Sequence, residues 1–281
     1  MSAAPLVSAN TVTFSAPFPA IIEAVRDAGF DGLEVWAHDL TNEAGAAEVK
    51  RMREVGLKLP ALQLLRDYEG CPPEQKASRR SAVIALMDLA NKVGAETLLA
   101  CANTRPDSSG DAGRQIEDLR DLAELAAARG LRIGLEPLAW SRWIDRYETA
   151  WARVEAVDHH ALGLVVDAFH WFYQATPLAF LDSVPIGKCF GVQLCDARPM
   201  KLAPIEIARH HRLFPGEGNW PIKELVGALD RRGYSGFYNL EVFNDEYRTQ
   251  DVRIVANRAM QSFRMIFDAR ANGARAEGRL A

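Results

Sequence analysis

Four acid or amide side chains stand at the ends of short apolar runs from residue 131 onward. Residues 131–135 lead into Glu136, residues 162–166 into Asp167, Gly191-Val192 into Gln193, and Tyr238-Asn239-Leu240 into Glu241. A carboxylate in such a setting is costly unless it is paired or bound to a cation. Three carboxylates converging on one pocket would repel one another, and a divalent cation removes that conflict. Oxygen donors of this kind suit Mg²⁺, Mn²⁺ or Co²⁺ better than a structural Zn²⁺ site, which favours thiolate and imidazole. A salt bridge or strand-end cap explains any one of the four as well as a metal does. The set of four makes one divalent metal ion the expectation.

Other groups fall near these positions. His170 follows Asp167 by three residues, where it could serve as a general acid/base or hydrogen-bond a metal-bound oxygen; a loop histidine bonded to backbone is the alternative. Glu136 and Glu241 could share the proton work. Arg66 closes the third apolar run, where it could grip a substrate carboxylate bidentately or pair with Asp67 or Glu69. His210 and Arg212 stand in the Gly/Pro-rich segment His210-His211-Arg212-Leu213-Phe214-Pro215-Gly216-Glu217-Gly218, which could cover a pocket, and both are candidate substrate contacts. Glu34 could orient a metal ligand. Trp140 and Phe243 could wall the pocket or simply pack in the core. His38, His159 and His160 look like surface residues. Gly216-Glu217-Gly218 lacks the Lys-Ser/Thr of a phosphate loop, and no Gly-x-Ser-x-Gly elbow occurs.

Chemistry at strand ends requires strands to carry it. Eight strand-like runs, at 7–14, 32–36, 57–65, 97–102, 131–136, 162–167, 189–195 and 237–243, alternate with amphipathic stretches such as 21–27, 79–93, 116–129 and 222–232. Such alternation argues for βα units and a parallel sheet. Gly29, Gly56, Gly94, Gly130 and Gly233 each stand between a helix and a strand, where the left-handed conformation is common. The chain's 281 residues suit one (β/α)₈ barrel, which typically needs ~250. An open doubly wound sheet also fits the pattern alone; the polar strand ends favour the barrel, whose chemistry sits at the C-terminal ends of its strands. The expectation is a single barrel over residues 1–281 with a frayed tail at 271–281.

The apolar fraction of 48% is ordinary for a soluble domain. A net charge of −4 argues against general nucleic-acid affinity. No apolar run nears the ~20 residues of a membrane span, and the first twenty residues lack the form of a signal peptide. Cys71, Cys101, Cys189 and Cys195 form no CxxC pair, and Cys101, Cys189 and Cys195, in or beside apolar runs, read as buried free thiols of a reducing compartment. A cytoplasmic protein is expected, with a small-molecule substrate and no nucleic-acid or membrane partner; homo-oligomerisation stays open.

At the level of motifs the chain resembles the xylose-isomerase-like barrel superfamily. The resemblance rests on Gly32-Leu33-Glu34-Val35, Gly134-Leu135-Glu136-Pro137, Asp167-Ala168-Phe169-His170 and Phe214-Pro215-Gly216-Glu217-Gly218, and it covers residues ~6 to 270 as one barrel. Within that superfamily it is most similar to the bacterial 3-dehydroshikimate dehydratases, through Arg66-Asp67-Tyr68-Glu69-Gly70-Cys71, Glu136-Pro137-Leu138-Ala139-Trp140, Leu240-Glu241-Val242-Phe243-Asn244-Asp245 and glutamine at Gln193. The resemblance implies a metal held by Glu136, Asp167, Gln193 and Glu241, with His170 and Arg212 in the substrate pocket. It implies dehydration of 3-dehydroshikimate to protocatechuate through a metal-stabilised enolate. Ala208 departs from relatives that offer a hydroxyl there. Some relatives carry a second, dioxygenase-like domain, for which this chain ends too soon. The alternatives are a sugar isomerase or epimerase using the same chemistry, a dehydratase of another cyclic hydroxyketone such as an inosose, an abasic-site endonuclease (disfavoured by six histidines and the negative charge) and a non-catalytic ligand-binding barrel.

Overall fold

The computed structural model describes residues 6–40 and 43–277. Its elements run β1 (Leu6–Asn10), α1 (Phe18–Ala28), β2 (Gly32–Trp36), α2 (Glu43–Glu54), β3 (Leu62–Leu65), α3 (Pro73–Val93), β4 (Thr97–Cys101), α4 (Ala112–Ala127), β5 (Arg132–Glu136), α5 (Tyr147–Val157), β6 (Leu162–Asp167), α6 (Ala168–Tyr173), β7 (Cys189–Leu194), α7 (Pro204–His210), α8 (Ile222–Arg231), β8 (Phe237–Leu240) and α9 (Val252–Glu277). The eight strands pair in chain order, all parallel, and β8 returns to β1 to close a (β/α)₈ barrel. Helices cover the outer face of the sheet, so strands such as β4 and β6 are buried throughout and read as continuous apolar runs. All five glycines between helix and strand adopt positive φ.

Three strands are shorter than the sequence suggests by more than one residue. β1 stops at Asn10 instead of residue 14 because the Asn10 side chain accepts from the Val12 N–H at 3.1 Å and starts a tight turn. β3 begins at Leu62 instead of residue 57, since Pro60 has no N–H for the ladder. β8 ends at Leu240, which leaves Glu241 one residue beyond the strand. α9 is described to Glu277, so it overlaps the segment expected to fray, and residues 278–281 lie outside the described residues. The four cysteines are free; Cys71, Cys101 and Cys195 are buried and Cys189 half-buried. Among the described residues no helix is long and apolar enough to cross a membrane.

Strand registry sets the site. Asn10 lies beside Glu34, Cys101 beside Glu136, and Asp167 beside Gln193. Alternate residues of a strand face the same side, so these six share one inward layer at the C-terminal rim. The inward positions two residues earlier include Ser8, Gly32, Gly134 and Gly191, all small. That layer is thinly filled, and a cavity of about 570 Å³ opens toward the N-terminal face, with Gln193, Glu34 and Asn239 in its lining. The acid cluster lies at the other end of the barrel, where chemistry on this fold belongs.

Candidate metal centre and active-site rim

Glu136 ends β5, Asp167 ends β6, Gln193 lies in β7, and Glu241 follows β8; all four are at least 95% buried. Three amides, Gln193 itself and two from other strands, tie the layer together. The side-chain N–H₂ groups of Asn10, Gln63 and Gln193 each donate to Glu34 Oε1 and to Glu241 Oε1, at 3.1 and 3.3 Å for Asn10 and 3.0 and 3.3 Å for Gln193. Because both hydrogens of the Gln193 amide are committed, its carbonyl oxygen turns away. Gln193 Oε1 is buried with no hydrogen-bond partner among the described residues. A buried, unsatisfied acceptor of this kind calls for a cation or a donor.

Asp167 is shared between two tasks. Its Oδ1 caps α6 by accepting from the Phe169 N–H at 2.6 Å, and its Oδ2 accepts from Arg212 Nη1 at 2.9 Å. The hydroxyl of buried Tyr147 holds the strand end, accepting from the Asp167 N–H at 2.6 Å. Arg212 Nη1 also reaches Glu241 Oε2 at 3.1 Å, and Nε donates to the Ala208 carbonyl at 3.0 Å. Arg212 therefore lies among the acids as their counter-ion, 3% exposed. Its free fork, expected on substrate, is largely committed to protein.

Electrostatics follow from burial and crowding. Burial, with Glu241 alongside, pushes Glu34 up to about 8. Burial, then Asp167 and Glu241, pushes Glu136 well above the carboxylate range, and burial raises Glu241 against the pull of Arg212. Burial would also raise Asp167, but Arg212 and the neighbouring His170 outweigh it and hold that carboxyl low. Four acids thus face one guanidinium. One guanidinium does not let all four ionise together, and that conflict and the free Gln193 oxygen fit a divalent cation.

His170 is fully buried, its Nδ1 accepting from the Ala139 N–H at 2.9 Å and its Nε2 lying 3.5 Å from Glu136 Oε1. The ligand atoms of Glu136, Asp167 and His170 lie within 4.8 Å of one another. Nevertheless, a ring whose Nδ1 accepts a backbone hydrogen bond carries its proton on Nε2 when neutral. Burial pushes His170 down to about 3. The face toward Glu136 is then an N–H donor with no lone pair, which suits neither a metal ligand nor a base. Its chemistry here is hydrogen-bond donation.

Above the acids, Trp36, Trp140 and Phe243 form an aromatic box. Trp140 meets the His170 ring edge-on at 5.1 Å between centroids, and Trp36 meets Phe243 at 6.0 Å. Arg66 is exposed, with its Cζ 5.7 Å from the Trp36 ring. His210, expected at the substrate, points outward and pairs with exposed Asp245 at 2.9 Å. Its neighbour Arg209 enters the box instead, because the rotation of α7 places residue 209, and not 210, toward the barrel axis. The segment 214–218 does not cover the pocket. Asp196 pins it by accepting from the backbone N–H groups of Gly216 and Trp220, each at 3.0 Å, and of Ala197 at 2.8 Å. A Cβ on Gly218 would come within 2.2 Å of Asp196. His159 and His160 stack on each other away from the rim, while His38, exposed, meets the Trp36 ring edge-on at 5.3 Å. Asn10, Gln63, Cys101 (whose Sγ donates to Glu136 Oε2 at 3.0 Å) and Arg209 were not singled out from sequence. The inward parity of Asn10, Gln63 and Cys101 was the available signal.

With this geometry in place, the relationships of the chain are informative. It is 36% identical over 258 residues to a 3-dehydroshikimate dehydratase of Pseudomonas putida and 37% identical over the same length to one of Pseudomonas aeruginosa, matches that cover 91% of this chain and 40% of each relative. A solved xylose isomerase-like TIM barrel/4-hydroxyphenylpyruvate dioxygenase fusion protein superposes with a TM-score of 0.92 at 33% identity, covering 98% of this chain and 45% of that one. The chain thus spans less than half the length of these relatives. The model of the xylose isomerase-like TIM barrel family matches residues 22–266, and the chain belongs to that family.

Proposed function

We propose that the chain is a metal-dependent hydro-lyase that removes water from 3-dehydroshikimate to give protocatechuate. The observation that carries this reading is the stacking of two layers on one rim. A buried oxygen set, Glu136, Asp167, Gln193 and Glu241, lies beneath a mouth holding two arginines, Arg66 and Arg209, that have no carboxylate partner among the described residues. The lower layer suits a hydroxyketone and the upper a carboxylate on the same molecule. The similarity to curated 3-dehydroshikimate dehydratases supports the same substrate.

Glu136, Asp167, Gln193 and Glu241 would hold the cation, with Mg²⁺, Mn²⁺ or Co²⁺ favoured by the all-oxygen donors. Bound there, it would supply Lewis acidity at a substrate oxygen. The residues do the rest. The reaction takes a proton from the carbon next to the ketone and expels the hydroxyl one carbon further on, which leaves with a proton as water; aromatisation makes it irreversible. One carboxyl that accepts the first proton can deliver the second. Glu136 is assigned this shuttle, because its Oε1 faces the pocket beside His170. Glu241 is anchored by three amides and Arg212 and serves mainly as a fixed ligand. His170 holds its Nε2–H toward the reacting oxygen and orients it. The aromatic box excludes bulk water.

The test is to incubate the purified chain with 3-dehydroshikimate, with an inosose and with common ketoses, and to follow aromatic absorbance and epimer formation. The proposal expects protocatechuate from the first alone. Epimerisation of a ketose, or dehydration of the inosose without turnover of 3-dehydroshikimate, would replace it with the alternative reading.

A further inference from the structure

One side chain occupies most of the mouth above the acids. Arg209, at the end of α7, places its Cζ 5.8 Å from the Trp36 ring centre, 5.9 Å from Trp140 and 4.8 Å from Phe243. Only about 20 Å³ of space remains among these residues, room for about one water. Pockets that take small organic ligands measure ~300–1,000 Å³. A cyclic substrate therefore cannot reach Glu136 and His170 while the guanidinium fills the box.

Three arginines surround the mouth, and their situations differ. Arg212 is committed to Asp167 and Glu241. Arg66 lies exposed against Trp36. Arg209 is half-buried, yet no hydrogen bond or ion pair ties it to any described residue; its contacts are with the three rings, and Glu241 acts on it only through space. Cation–π contacts only partly replace the hydration of a guanidinium, and a carboxylate offers a stronger, bidentate partner. Trp36 adds a buried indole N–H that has no acceptor among the described residues. The box thus contains a displaceable cation, three ring faces and a spare donor.

Resting on the reading of the site as one for a cyclic hydroxyketone acid, we propose that Arg209 is a displaceable plug that selects for anions. Its guanidinium swings out of the box to grip the carboxylate of the entering acid. The substrate ring takes its place against Trp36, Trp140 and Phe243, and Arg209 then closes over the bound molecule. Specificity for a carboxylate and access to the acids are thereby set by one residue.

The test needs no turnover. Tryptophan fluorescence of the metal-loaded protein, with Trp36 and Trp140 as reporters, is titrated with benzoate and with its neutral analogue benzamide. The wild type should bind benzoate in preference to benzamide. Arg209→Gln should weaken benzoate by about 10- to 100-fold, the weight of a charge-assisted pair, while benzamide changes by under about threefold. Arg209→Lys should recover part of the preference, and Lys201→Gln, which removes an exposed charge of the same loop, should leave it intact. With 3-dehydroshikimate, Arg209→Gln should raise KM more than it lowers kcat. The proposal is overturned if the wild type shows no benzoate preference, if Arg209→Gln keeps it, or if both ligands weaken equally. Failure of the wild type to dehydrate 3-dehydroshikimate, with the benzoate preference intact, would overturn the substrate and leave the plug standing.

Discussion

At the scale of single residues, the tautomer of His170 decides its role. The Ala139 N–H fixes the ring proton on the side facing Glu136. An amide can present the same kind of donor, whereas a methyl group cannot. His170→Ala should therefore lower turnover by about 10²-fold, and His170→Gln should retain clearly more. Equal loss in both variants would return the imidazole to acid/base duty. Glu69 permits a second test, remote from the metal ligands. It is buried, accepts from the Asn103 N–H, and burial pushes it up to about 8 from an ordinary 4.5. The folded chain then keeps a proton that the unfolded chain sheds above 4.5. This contribution is fully present below pH 4.5 and is lost as pH rises toward 8. Glu69→Gln should flatten the fall in Tm between pH 5 and 8. An unchanged Tm profile would mean that Glu69 titrates normally.

At the scale of elements, strand ends were legible and helix rotation was not. Glu136 and Asp167 are the last residues of strands with continuous apolar runs, so their depth follows from local pattern. Gln193 and Glu241 follow from the same alternation. Which face α7 turns inward depends on how a seven-residue helix docks, and nothing local distinguishes Arg209 from His210. Arg212 is legible as a functional position but not as a counter-ion, because its partners, Asp167 and Glu241, lie 45 and 29 residues away. The segment that delivers it hangs on Asp196, whose carboxylate satisfies three backbone N–H groups. Asp196→Ala should cost about 2–4 kcal/mol, from buried donors left unpaired. Urea unfolding would measure it, and a loss under about 0.5 kcal/mol, the usual range for surface changes, would show that the segment stands without this anchor.

At the scale of the whole molecule, closure of the barrel gathers side chains more than 100 residues apart, and the acid cluster it creates is the least self-sufficient part of the fold. Four buried acids share one arginine, and burial keeps Glu34, Glu136 and Glu241 from ionising readily. A cation that binds only the folded chain stabilises it by about 2.7 kcal/mol at one hundred times its Kd. Stripping divalent ions with EDTA should accordingly lower Tm, and Mn²⁺ or Co²⁺ should restore it. The central claim is that Glu136, Asp167, Gln193 and Glu241 together hold one ion. Calorimetric titration of Mn²⁺ into chelator-stripped protein tests it most directly. The account predicts one ion per chain for the wild type, and none at comparable affinity for Asp167→Ala or Glu241→Ala in protein that remains folded. No binding to the wild type, or undiminished binding to both variants, would contradict it.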